Sequence, residues 1–167
     1  MSLSRGVFLA GCLFCAGLMA FAIYLQTVQG VEPCPLCIIQ RVFFIGVAVL
    51  CLIAVIHGPA GRGTRVYGTL MALLALGGGG VAARQIWLQH HPDPAAECGA
   101  GLGYLFENSP LPEAIATVFR GTGDCSEVTW TLLGLSIPEW SLAAFAGLAA
   151  VGVWQALKLG AARYQPG

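Results

Sequence analysis

Residues 34–57 read CPLCIIQRVFFIGVAVLCLIAVIH, and this stretch decides the fold. From Val42 to Ile56 it carries fifteen residues without a charge. A bilayer core asks for roughly 20 apolar residues per helix. The helix is therefore expected to begin earlier, running back through Arg41 towards Pro35. Proline suits the first helical position, where its missing N–H needs no partner and its φ is already helical. The reading is a membrane span over about 36–57 with a cysteine pair at its head.

Three more uncharged runs lie outward of it. Val7 to Leu25 is nineteen residues, Val66 to Ala83 eighteen, and Trp140 to Leu157 eighteen. They give spans over about 7–25, 66–88 and 140–158. The expected fold is an all-α membrane protein, a single domain over 1–167 built as a four-transmembrane-helix bundle. Loops over about 26–35 and 89–139 share one side, and a short loop over about 58–65 lies on the other. Composition agrees: 57% of residues are hydrophobic and 10% charged, against about 25% charged in soluble domains. That excludes a disordered chain and a basic nucleic-acid binder, so the expected surroundings are a lipid bilayer and no nucleic acid. A cleaved signal peptide is the rival for the first span, since Arg5, an apolar run and Ala20-Phe21-Ala22 fit it loosely. The run continues past that site through Leu25, which favours an uncleaved span. Gly77-Gly78-Gly79-Gly80 in the third span reads as a packing face, because a helix in lipid retains its internal hydrogen bonds and small residues let a neighbour approach.

Charge orients the bundle. Arg5, Arg62, Arg65, Lys158 and Arg163 fall on one side with no acidic residue. All eight acidic residues fall on the other, joined by Arg41, Arg84 and Arg120. The excess of Lys and Arg marks the cytoplasmic side. Both termini are expected there, and the 26–35 and 89–139 loops outside.

The seven cysteines sort by this topology. Cys12, Cys15 and Cys51 lie within spans and read as small buried apolar residues. Cys34, Cys37, Cys98 and Cys125 lie on the oxidising side, where an even number of thiols points to two disulfides. Four cysteines allow three pairings. The Cys34-Pro35-Leu36-Cys37 spacing is one that a redox-active pair uses, with Cys98 and Cys125 as its complement. A helix N-terminus at Pro35 would stabilise a thiolate. Arg41 follows Cys37 by one turn and shares its face, and a cation at that depth is costly and usually functional. Cys98 and Cys125 sit among glycines, in a setting suited to reaching a partner. A purely structural bridge between them would close a 28-residue loop, worth about 3 kcal/mol. Between them, Leu111 to Phe119 reads as a short amphipathic helix on the membrane surface. His90 and His91 are zinc-ligand types but match no metal spacing, so no metal is expected. Gln89 is a candidate for hydrogen-bonding a quinone carbonyl.

These residues resemble the DsbB family, the bacterial inner-membrane disulfide bond formation proteins. The resemblance rests on four spans, on Pro33-Cys34-Pro35-Leu36-Cys37 with Arg41 after it, and on a long second loop holding Cys98 and Cys125. Gly123-Asp124-Cys125-Ser126-Glu127 through Trp130, then Leu133-Gly134-Leu135 and Pro138-Glu139-Trp140, add to it. It implies a quinone-dependent thiol oxidase that reoxidises a periplasmic DsbA-like thioredoxin-fold oxidase and passes electrons to the membrane pool of ubiquinone or menaquinone. It implies disulfides Cys34–Cys37 and Cys98–Cys125. Cys98 would be attacked by the partner, with Cys37, Arg41 and Gln89 beside the quinone. His90 and His91 depart from the family's expected polarity near Gln89. The alternatives are a non-enzymatic four-span scaffold with two structural disulfides, and an outward thiol reductant working through Cys12 and Cys15.

Overall fold

A computed structural model describes residues 3–31, 33–91, 125, 126, 128 and 130–161. Helix α1 covers Leu3–Val28, α2 Pro35–His57, α3 Arg62–His90 and α4 Ile137–Ala161. Strands β1 (Thr131–Leu132) and β2 (Leu135–Ser136) form a small hairpin leading into α4. All four helices are long and apolar enough to cross a membrane, with mean hydropathy from 1.5 to 2.6. Each overruns the uncharged run inside it. Intrahelical bonding continues into the interface, where charged side chains reach headgroups while the backbone stays paired. Helix α3 thus passes through Arg84 to His90, and α4 starts at Ile137 rather than at Trp140. Its start is fixed by Ser136, whose backbone N–H donates to Glu139 Oε2 at 2.6 Å, half of a capping box. The amphipathic helix expected over 111–119 lies outside the described residues.

Neighbours in sequence pack as antiparallel neighbours in space: α1 on α2, α2 on α3, and most extensively α3 on α4. Glycine sets the last contact. A Cβ on Gly68 would lie 2.7 Å from the Gly152 carbonyl oxygen, and one on Gly152 2.8 Å from that of Gly68. The two backbones therefore touch, the close approach that small residues permit in lipid. In the four-glycine run, Gly77 seats the Phe43 ring of α2 and Gly78 that of Phe145 of α4. Phe145 in turn stacks on Phe44, with centroids 4.0 Å apart. Gly80 faces open space. Gly79 also faces α4, since a Cβ placed on it would lie 3.6 Å from the Phe145 Cβ, so three of the four glycines form a packing face towards the two neighbours.

The core along the bundle axis includes Phe8, Val47, Met71 and Ala75, with Cys15 and Cys51 fully buried among them. Cys51 Sγ lies 3.9 Å from Met71 Sδ. These thiols fill space between helices. At one end of the bundle, α1 and α3 finish while α2 and α4 begin. That end carries Cys34, Cys37 and Cys125.

Candidate active site

Cys34 is the N-cap of α2, in an extended conformation, and its sulfur accepts the Cys37 backbone N–H at 3.4 Å. Pro35 fills the first helical position, so sulfur takes the role that a serine or aspartate oxygen usually plays. The cap brings the two sulfurs to 3.0 Å, with the Cys34 S–H donating to Cys37. This is contact between thiols; a disulfide bond would be about 2.05 Å. The two cysteines of the expected pair are thus brought into contact at the head of α2.

Cys125 joins this pair. It is fully buried, in a cluster with Cys34, Leu36, Val81 and Leu88. Hydrogen bonding with Cys125, then with Cys37, together with burial, holds the Cys34 thiol well above the ordinary cysteine range. Negative charge developing on the pair is best supported at Cys37, which receives the Cys34 S–H and sits in the first turn of a helix. Cys98, and with it the expected Cys98–Cys125 pairing, lies outside the described residues.

A glutamine that sequence reasoning did not select completes the sulfur site. Gln85 Nε2 lies 3.2 Å from Cys37 Sγ and 3.3 Å from Cys34 Sγ. Its Oε1 accepts the Gln40 amide at 2.7 Å. Both glutamines are 3% exposed. With Gln85 Oε1 held by Gln40, the Gln85 N–H groups are directed at the sulfurs. The available signal was spacing. Gln85 precedes Gln89 by four residues and shares its face, and it falls within the span expected over about 66–88, where a polar side chain is costly.

Gln89 lines the same cavity, and its Oε1 accepts from Ser136 Oγ at 3.1 Å. It ties α3 to the cap of α4 and sits at the edge of the site. Arg41 lies on the cavity wall with Cys37. Its guanidinium donates to Gln26 Oε1 at 2.7 Å and to the Ala22 carbonyl at 3.4 Å, both on α1. The positive charge is thereby fixed in place rather than left to extend towards headgroups. His90 and His91 each donate from Nδ1 to the carbonyl one turn back, at 2.9 and 3.3 Å, and the His91 ring stacks on Trp87. Among the described residues no three metal-ligating side chains converge.

The cavity holds about 460 Å³, within the range of small-molecule sites. Its walls are mainly apolar, with Phe14, Leu18, Phe44, Trp130 and Trp140 among them. Polar groups enter from Cys37, Gln40, Arg41, Gln85 and Gln89. Such a space fits a flat apolar ring with carbonyl acceptors. One cavity is thus lined by the Cys37 sulfur, a cation held by hydrogen bonds to α1, and amide donors.

Comparison with known proteins agrees with this chemistry. Residues 4–155 match the family model described as disulfide bond formation protein DsbB. The disulfide bond formation protein B of an Azoarcus species is 53% identical over 90% of this chain and 90% of its own. That of Methylococcus capsulatus is 48% identical over 91% of this chain and 93% of its own. Disulfide bond formation protein B 1 of Pseudomonas aeruginosa is 48% identical over 92% of this chain and 95% of its own.

Proposed function

The chain belongs to the disulfide bond formation protein DsbB family, and on that premise we propose that it takes two electrons from a periplasmic DsbA-like oxidase and delivers them to membrane quinone. It is a multi-pass bacterial membrane protein and a disulfide oxidoreductase. The observation that carries the finer reading is the sulfur geometry. Cys37 lies on the wall of an apolar cavity, 3.0 Å from Cys34, and Cys125 is hydrogen-bonded with Cys34 in the same buried cluster.

The steps follow from that order. In the oxidised protein Cys34–Cys37 and Cys98–Cys125 are disulfides. A partner thiolate attacks Cys98, forming a mixed disulfide and releasing Cys125 as thiolate. Cys125 attacks Cys34, the sulfur it touches, and the Cys34–Cys37 bond breaks with Cys37 leaving as thiolate. The partner's second thiol resolves the mixed disulfide, so the partner departs oxidised and Cys98 is freed. Cys98 then attacks Cys125, restoring the loop disulfide and leaving Cys34 as thiol. Each exchange breaks one S–S bond and forms one. The favoured leaving group is the best stabilised thiolate. That is Cys37, supported by the helix N-terminus, the Gln85 amide and the nearby Arg41 charge. Ubiquinone or menaquinone, when bound, accepts two electrons and two protons and so resets the Cys34–Cys37 disulfide. Arg41, Gln85 and the aromatic walls would hold the ring, and Gln89 would close its edge.

The cysteine end is periplasmic and both termini cytoplasmic in this proposal, as the excess of Lys and Arg at the opposite end supports. A non-enzymatic scaffold leaves the buried amide aimed at two sulfurs without a purpose. The test is quinone reduction by reduced partner oxidase, using purified protein in vesicles and either quinone. Cys37→Ser is expected to abolish it. Unaltered reduction in that variant would overturn the assignment.

A further inference from the structure

The β1–β2 hairpin is built in a way that water does not reward. Its register pairs Thr131 with Ser136 and Leu132 with Leu135, leaving a two-residue turn of Leu133 and Gly134. Both have positive φ, 54° and 82°. Turns of this kind favour Asn-Gly or Asp-Gly. A left-handed conformation is unfavourable for an ordinary L-residue, whose Cβ crowds the following carbonyl oxygen. Leu133 adopts it while 86% exposed, the most exposed of the large apolar side chains among the described residues. In water this position is unfavourable twice over, in conformation and in exposed apolar surface. Val128, Leu132 and Leu135 are also exposed, and no charge occurs from Val128 to Pro138.

Neighbouring contacts set the depth of this segment. The Trp130 ring meets Phe21 of α1 edge-on, with centroids 5.9 Å apart. Helix α1 has 26 residues, about 39 Å at 1.5 Å per residue, against about 30 Å of hydrocarbon. Phe21 lies two turns, about 10 Å, inside the Val28 end, so it sits at or within the hydrocarbon boundary. Trp130 reaches that level. Trp140 is partly exposed and donates from its indole to the Leu132 carbonyl at 3.1 Å. Tryptophans so placed are characteristic of the membrane interface. The hairpin then runs without a break into α4, β2 ending at Ser136 and the helix starting at Ile137.

We propose that the hairpin is a membrane-seated anchor. The Leu132-Leu133 tip lies in the boundary between headgroups and acyl chains, and its seating holds the Cys125 segment over Cys34. In lipid the exposure of Leu133 becomes burial, which offsets the conformational cost. Cys125 precedes β1 by six residues, so a fixed hairpin limits how far its sulfur strays from Cys34. The inference rests on the four-span reading and is independent of which electron acceptor is used. A docking patch for the partner oxidase is the competing occupant. Its surface would stand above the membrane plane, whereas Trp130 draws this segment below it.

The test uses the full chain in vesicles of phosphatidylethanolamine and phosphatidylglycerol, with reduced partner oxidase present. A diazirine-bearing residue replaces Leu133, is activated by light, and the adducts are identified by mass. Lipid adducts are expected. Adducts mainly on the partner oxidase, or addition of water alone, would overturn the proposal. A second arm uses Leu133→Asn, which supplies the residue the turn prefers. If Leu133 were only a turn residue, alkylation of Cys125 in reduced vesicles would be unchanged. The anchor requires it to rise severalfold with the melting temperature in detergent maintained, and an unchanged rate would overturn the holding role.

Discussion

Cys37 receives a proton donor from each of two elements, and its chemistry depends on both. The Cys34 S–H comes from the cap of its own helix, and the amide of Gln85 crosses from α3. Gln85→Leu leaves volume nearly intact and removes the crossing donor. Loss of one donor to developing negative charge costs about 10²–10³ in rate, so quinone reduction is expected to fall about a hundredfold. Gln40→Leu spares the donor but frees the Gln85 amide to rotate, and a smaller loss is expected. If both variants reduce quinone normally at every concentration, the amides serve only packing. Arg41→Ala is expected to slow quinone turnover by about 10² or more with little change in folding, and Arg41→Lys to be intermediate because a point charge lacks the guanidinium fork. The structure adds Gln26→Ala, which should reproduce part of the loss by releasing the guanidinium from α1. A wild-type rate in Arg41→Ala, with unchanged quinone affinity, would reduce that residue to a headgroup anchor. Cys34, Cys37 and Arg41 were readable because cap, proline and one-turn spacing are local. Gln40 and Gln85 were not. Their meaning lies in a contact between helices, and a sequence does not display which face of one helix meets which face of another.

The α3–α4 contact shows the same division one level up. Four helices could be read from hydropathy because lipid leaves a spanning backbone no partner but itself. The run Gly77 to Gly80 marked a packing face. Only the structure separates Gly77 and Gly78, which seat rings, from Gly80, which meets nothing. The hairpin was not readable: its strands have two residues each and its turn carries leucine where asparagine would announce it. Gly68→Leu and Gly152→Leu would each drive a side chain into facing backbone, which cannot yield as a flexible side chain can. Overpacking of this kind costs about 1–3 kcal/mol or more, so a clear drop in the detergent melting midpoint is expected. Gly80→Ala adds a methyl in open space and improves helix propensity by up to about 1 kcal/mol, so an equal or higher midpoint is expected. Equal effects at Gly68 and Gly80 would show that the close approach of α3 and α4 contributes nothing.

For the whole molecule the decisive property is that its chemistry is confined to one end. Antiparallel packing from α1 to α4 puts Cys34, Cys37, Cys125, Gln85 and Arg41 together. The opposite end carries Arg5, whose Nε donates to the Val55 carbonyl, and the turn from Gly58 into α3 with Arg62 and Arg65. No acidic residue occurs in the 58–65 segment. If the basic end is cytoplasmic, the sulfurs face the oxidising compartment, and a thiol partner reaches them without crossing the bilayer. If it is not, the cysteines face a reducing pool that would consume their disulfides. Topology is therefore a condition of the proposed chemistry. Reporter fusions at Gly63 and at Gly101 should fall on opposite sides, with Gly63 cytoplasmic. Fusions on the same side would break the four-span reading. Opposite sides with Gly63 outside would preserve the bundle and remove the thiol oxidase, because the electrons would then have no reduced periplasmic partner to come from.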